Sequence, residues 1–234
     1  MENTNNTDVV RRGSPGSYKR QQMPVVASLP LPRPTPSAAS FASALSNRHS
    51  AIHFGPLTHT QLSNFLCDVA GLRCVDRDDL NRQKRAVGSM GALHPAHILM
   101  FVPDLEWCVY IPEEHALGRL IVNEEASGSL LGLVEEHFPG HNSVVLCLLS
   151  DCDLAANYYD NCAPVLLRDA GVLLGHAALV ASAHDLAFRI LGRTGTRITE
   201  NLVKGLAFRP MATGLALLGS NALESGHAAC QGGA

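Results

Sequence analysis

Arg168–Gly192 reads RDAGVLLGHAALVASAHDLAFRILG, and this stretch decides the fold. Asn161 is placed to cap a helix that takes Pro164 into its first turn, where a missing N–H costs little. The apolar pattern then runs to about His184, roughly 33 Å at about 1.5 Å per residue, enough for the central member of a domain. Arg168, Asp169 and His176 interrupt the apolar run from Ala163 to Ala183. Each is costly in hydrocarbon, so the run is expected to be a buried helix and no segment is expected to span a membrane. Phe188–Leu191 leaves the helix as a strand, ending at Gly192.

Working outward, Ser143–Leu149 (SVVLCLL) reads as a buried central strand, and His97–Val102 with Trp107–Ile111 as a strand pair around Pro103-Asp104. Gly214–Leu218 supplies another strand. Helices are predicted from Ser37 to about Asn47, after Thr58 with Gly71 as its stop, near Glu113–Leu120, over Gly128–His137 and over Thr199–Lys204. Residues 72–88 are charged and aperiodic and are assigned to a surface loop. The order of elements means an α+β sandwich: a mixed, mostly antiparallel sheet flanked by helices around one long central helix.

With 234 residues, the chain suits one domain with some unstructured length. Met1 to about Pro36 is polar and then Pro-rich (LPLPRPTP), so residues 1–36 are expected to form a disordered arm, residues 37–221 the folded domain and 222–234 a flexible tail. A formal charge of −3, from 18 basic against 21 acidic residues, gives no chain-wide basic field for nucleic acid. Seven cysteines make no C-x-x-C pair, and the odd count with no export signal points to the cytoplasm.

No G-x-G-x-x-G after a strand, no G-x-x-x-x-G-K-[ST], no H-E-x-x-H and no G-x-S-x-G occurs, which disfavours nucleotide hydrolases, zincins and α/β-hydrolases. His94/His97 and His137/His141 are the closest of eleven histidines, but Pro95 and Pro139 interrupt helix within each pair, so no metal site is expected.

Three separated segments share one theme. Arg48, His49 and Ser50 close a helix with a cation and a hydroxyl suited to a phosphate group. Ser89, Gly91, Ala92 and Leu93, before His94-Pro95, enter a strand through small residues that let a backbone approach a flat ligand. Leu191, Gly192 and Arg193 leave another strand with a glycine.

These segments, in this order, resemble the FMN-dependent nitroreductase family, and more closely its SagB/McbC-type branch, the azoline dehydrogenases of thiazole/oxazole-modified peptide biosynthesis. The matching stretches within about residues 38–221 are RHS with Phe54 four residues on, S-x-G-A-L-H-P at Ser89–Pro95, and Arg168–Gly192. The resemblance implies a homodimer with FMN at the subunit interface. It places Arg48 and Ser50, with His49 between them, at the FMN phosphate and ribityl end, Ser89, Gly91, Ala92 and Leu93 along the isoalloxazine ring, and Leu191, Gly192 and Arg193 near its other edge. It also implies a precursor peptide as substrate and cyclodehydratase subunits as partners.

The sequence departs from the family at Ile52, where a basic residue is usual, and after Asn221, where no cation follows; Arg193 or Arg197 is the available substitute. The family's catalytic Lys-Tyr pair corresponds to Asn157-Tyr158. A cation about 4 Å from a tyrosine, at an effective dielectric near 20, contributes roughly 4 kcal/mol, or about three pKa units. Asn157 supplies a dipole instead, so Tyr158 is expected to be a slow base unless another cation reaches it. The alternatives to azoline oxidation are an NAD(P)H-dependent nitro or quinone reductase, and a scaffold subunit of a peptide-modifying synthetase that has lost the chemistry.

Overall fold

The computed structural model describes residues 9–221. In chain order the elements are β1 (Val10–Arg11), β2 (Val25–Pro30), α1 (Phe41–Asn47), α2 (His59–Ala70), β3 (Leu72–Val75), β4 (Gln83–Arg85), β5 (Ala96–Val102), β6 (Glu106–Ile111), β7 (Ala116–Leu120), α3 (Glu124–His137), β8 (Val144–Asp151), α4 (Cys152–Tyr158), β9 (Tyr159–Asp160), α5 (Ala163–Ala183), β10 (Leu186–Leu191), α6 (Thr196–Glu200) and β11 (Pro210–Ser220). Seven strands form one sheet in the order β10-β11-β8-β5-β6-β7-β2, every pairing antiparallel.

Side chains alternate across that sheet with period two, so each strand feeds two cores. Ile98, Met100, Tyr110, Leu146 and Leu148 face α2 and α5, with Phe65, Leu66, Leu173 and Ala177 packed on them. Leu99, Val109, Val145, Cys147 and Leu149 face the opposite layer, where Leu130 and Val134 of α3 close over them. β8 is buried along its whole length, as its unbroken apolar run requires. α5 starts from Cys162, not Asn161, with Pro164 in its first turn. It is long and apolar enough to cross a bilayer, yet here it packs against β10 and β11 as the core helix. The α+β sandwich expected from the sequence is the observed fold.

Several local expectations need correction. The arm of residues 1–36 is not disordered over its described part: β2 pairs with β7, and Tyr18 and Arg20 are tied into the domain. Prolines around Val25–Leu29 masked a strand, and β2 sits at the sheet edge, where proline is tolerated. The predicted helix over Glu113–Leu120 is instead strand β7. Its Gly118 lets β2 close in, because a Cβ there would stand 2.4 Å from Val25 Cγ1. Residues 72–88 contain the β3–β4 ribbon, and the helix predicted over Thr199–Lys204 lies earlier, at α6. The predicted tail, 222–234, lies outside the described residues.

Candidate functional site

The turn before β5 is built from unusual backbone. Gly91, Ala92 and His94 have φ of 52°, 59° and 43°, in the left-handed region that only glycine adopts at no cost. Three side chains from outside the turn hold it there, Arg20 and Asp169 from far along the chain and Arg82 from the segment just before it. Asp169 of α5 accepts the Ser89 hydroxyl at 2.5 Å and the Met90 N–H at 3.0 Å, and Ser89 Oγ accepts the His94 N–H at 2.9 Å. Arg82 donates to the Gly91 carbonyl, and Arg20 donates to the carbonyls of Leu93, His94 and Asn81. Gly91 is exposed and Ala92 half-buried, so the crest of the turn faces outward. Leu93, expected to line a flat ligand, is instead fully buried against Leu154 and Tyr158.

Tyr158 lies behind this turn and is 4% exposed. Its hydroxyl donates to Asp79 at 2.7 Å and accepts from Asn81 Nδ2 at 3.1 Å, while the Arg82 guanidinium carbon stands 5.1 Å over its ring. Burial first, and then the bond to Asp79, raise the Tyr158 pKa, so the phenol holds its proton at neutral pH. Burial alone would raise the Asp79 pKa as well; bonds from Tyr158, the Asn81 amide and Arg82 outweigh it and hold the carboxylate below its ordinary range. Asn157 turns the other way. Its Oδ1 accepts the Tyr18 N–H at 3.2 Å and its carbonyl the Gly16 N–H, so it anchors the N-terminal segment, while its Nδ2 is buried with no partner among the described residues.

Arg48, His49 and Ser50 follow α1 and are exposed. The Ala51 N–H donates to the Phe188 carbonyl, and Arg189 Nη1 donates to the Ala51 carbonyl at 3.1 Å, fixing the segment against β10. Leu191, Gly192 and Arg193 line a cleft of about 280 Å³ with Arg189, His137 and Phe138.

The structure brings the Arg48 segment and Gly192 to the β10 edge of the sheet at different levels: Gly192 follows Leu191, in register with Leu215, about midway along β11 between the level of Ala51 and that of the small-residue turn. Ala51 is tied to Phe188, in register with Leu218, whereas Ala96 is in register with Ser150 and Met211. Those seven residues of β11 correspond to roughly 23 Å along the strand. Two strands, β11 and β8, also lie between β10 and β5, so within one protomer the Arg48 segment and the turn are separated by at least about 23 Å.

Sequence reading missed Arg20, Arg82 and Asp169, the side chains that shape the turn, and Asp79, the acceptor of the Tyr158 hydroxyl. Asp169 was visible as a charge inside an apolar helix. Arg20 and Asp79 carried no signal, because their partners are backbone carbonyls and a tyrosine far along the chain.

The fold has solved counterparts. A nitroreductase from Ralstonia eutropha JMP134 superposes with a TM-score of 0.62 at 18% identity, covering 90% of this chain and 98% of that one. A chain of the Escherichia coli microcin synthetase McbBCD complex, solved with truncated pro-MccB17 bound, gives 0.58 at 16% identity, covering 74% and 69%. A nitroreductase from Anabaena variabilis ATCC 29413 gives 0.56 at 17% identity over 88% of this chain and 41% of that one. No protein-family profile matches the chain, and no curated protein matches it in sequence.

Proposed function

We propose that the protein is an FMN-dependent oxidoreductase of the azoline dehydrogenase type, oxidising thiazoline or oxazoline rings of a ribosomally made peptide to azoles. One observation carries this reading: on a nitroreductase-like fold, the Ser89–Pro95 turn is held in strained backbone by Asp169 and Arg20, with Gly91 and Ala92 at its exposed crest. Folds keep such strain where a ligand needs it. Likeness in fold to a chain of a peptide-modifying synthetase favours the peptide substrate.

The donor set suits FMN in kind. Arg48 and Ser50, exposed at the end of α1, would hold the phosphate, and Gly91 with Ala92 would back the ring. Their separation in one protomer calls for two copies, one giving the cationic segment and the other the turn, and hence for a homodimer. When bound, FMN supplies a two-electron acceptor that O₂ reoxidises. The substrate proton would pass to Tyr158 as the phenol hands its own to Asp79, 2.7 Å away, with Arg82 balancing the carboxylate, so the relay needs Asp79 and Arg82 to stay closed over the phenol. The free thiols of Cys67, Cys74, Cys108, Cys147, Cys152 and Cys162 suit a reducing cytoplasm.

A second reading, a scaffold subunit beside a cyclodehydratase, draws on the closed environment of Tyr158, whose hydroxyl has both a donor and an acceptor within the protein. Mass spectrometry of an azoline peptide incubated with the FMN-loaded protein separates the two. Loss of about 2 Da per ring, the mass of two hydrogens, supports the enzyme. An unchanged mass, with binding to a cyclodehydratase, supports the scaffold.

A further inference from the structure

A cavity of about 590 Å³ lies between the N-terminal segment and the open end of β5 and β6, and meets the Ser89–Pro95 turn through Arg20, which donates to the Leu93 and His94 carbonyls. That volume is within the usual range for small-molecule sites. Arg20, Arg85 and His97 converge on it, and Met23, Val109 and Ile111 supply apolar wall.

The polar groups are poorly matched by the protein itself. Among the described residues His97 Nε2 and Arg20 Nε are buried with no hydrogen-bond partner, although the His97 ring is fixed by stacking on Phe208 at 5.3 Å and 18°. Arg85 donates from Nε and Nη2 to one neutral acceptor, Gln83 Oε1. Neither guanidinium forms an ion pair among the described residues. A buried cation without a counter-ion is costly, and a buried polar atom without a partner is uncommon. The same crowding keeps both nearby imidazoles neutral: burial, then the two arginines, lower His97 to about 3, and burial, then Arg85 and Arg20, lower His94 to about 4.

The charge of the missing partner can be read from its surroundings. Glu113 attracts both guanidiniums but is exposed and already accepts from Gln83 Nε2 at 2.7 Å. Asp151 also attracts Arg20, and Asp79 on the wall is paired with Arg82, so Arg85, which has only the shared Glu113, is the guanidinium left short of a counter-ion, and one guanidinium suits a single negative charge. Exposed Asp78 and Glu114 at the rim disfavour a dianion. A guanidinium fork matches a carboxylate in geometry, and a neutral imidazole adds one N–H.

We propose that this cavity binds a small monocarboxylate with an apolar body, its carboxylate held by Arg85 and His97 and its body lying against Met23, Val109 and Ile111. Arg20 grips the carbonyls of Leu93 and His94 from the same side, so an occupant bears directly on the support of the turn. The site stands on its own residues and needs no flavin.

Isothermal titration of the full chain with 3-phenylpropionate, its neutral amide and inorganic phosphate tests this. The carboxylate is expected to bind at least about tenfold more tightly than either control, and Arg85→Met to remove about that factor while leaving the amide unchanged. Arg85→Lys, which keeps the charge and loses the fork, is expected to fall between. Equal affinity for acid and amide, tighter binding of phosphate, no saturable binding of the acid, or unchanged affinity in both variants each overturns the proposal. Flavin enters none of these titrations, so failure of flavin loading leaves their outcome intact.

Discussion

Ser89 and Asp169, eighty residues apart, meet at 2.5 Å, and through this bond the long helix α5 sets the shape of the turn that precedes β5. The same carboxylate accepts the Met90 N–H, so one side chain secures two donors of a strained segment.

Asp169→Ala therefore strands a hydroxyl and an amide. Hydrogen bonds to a charged group contribute about 1.5–3 kcal/mol each, and the expected loss of stability is about 3 kcal/mol, read by urea denaturation. Asp169→Asn, which keeps one acceptor oxygen, is expected to lose less. Equal stability of all three proteins contradicts the role assigned to this contact.

Gly91 is a second lever. Its φ of 52° strains any L side chain, and a Cβ would stand 2.9 Å from the Tyr159 hydroxyl and 3.0 Å from Arg82 Nη1. Gly91→Val is expected to cost more than about 2 kcal/mol. Gly128 is the contrast: it lies in α3, exposed, with open space around its Cα, so Gly128→Ala is expected to add about 0.5–1 kcal/mol. Thermal melting of both variants against the parent chain checks the pair.

Acid should weaken the fold through the histidines behind the turn. His97 and His94 have folded pKa values of about 3 and about 4, below the ordinary 6.5, so the unfolded chain binds the extra protons. Their contribution is complete above about pH 6.5 and is lost as pH falls through the folded values. Asp151, raised by burial, works in the opposite sense above the ordinary carboxyl value of about 3.8, within the same window. Stability is expected to drop on the order of 3 kcal/mol between pH 6.5 and pH 4, and His97→Gln to flatten the slope, both measured by denaturant titration. A pH-independent midpoint would refute this.

How much of this was legible in advance depends on where each signal lies. β8 and α5 could be read because burial on both faces and a 3.6-residue period both write apolar runs into the sequence. β7 could not, since Ala116–Leu120 is too short to separate a strand from a helix by period. β2 was hidden because its stability comes from pairing with β7, which no local composition announces. At the site, the small-residue turn and Arg48 were visible as residue types. Their separation of at least about 23 Å was not, because it follows from sheet register. Tyr158 is legible as a residue type, while its acceptor Asp79 lies across the chain and is joined to it only by folding.

The two-copy arrangement makes its own prediction. Arg48→Ala and Ala92→Glu should each abolish flavin retention alone, the first by removing the phosphate cation, the second by filling the face of the turn. Refolded together, half the dimers pair one of each and contain one intact site in two, so flavin absorbance is expected to return to about a quarter of the parent value. No recovery places both halves of the site within one chain.

The most direct measurement of the account is an anaerobic titration of the FMN-reconstituted protein with an azoline-containing peptide, followed by its visible spectrum and with no NAD(P)H present. The account predicts that the flavin band bleaches in proportion to the peptide added. A protein that takes up no flavin, or one whose flavin stays oxidised in excess peptide, would contradict it.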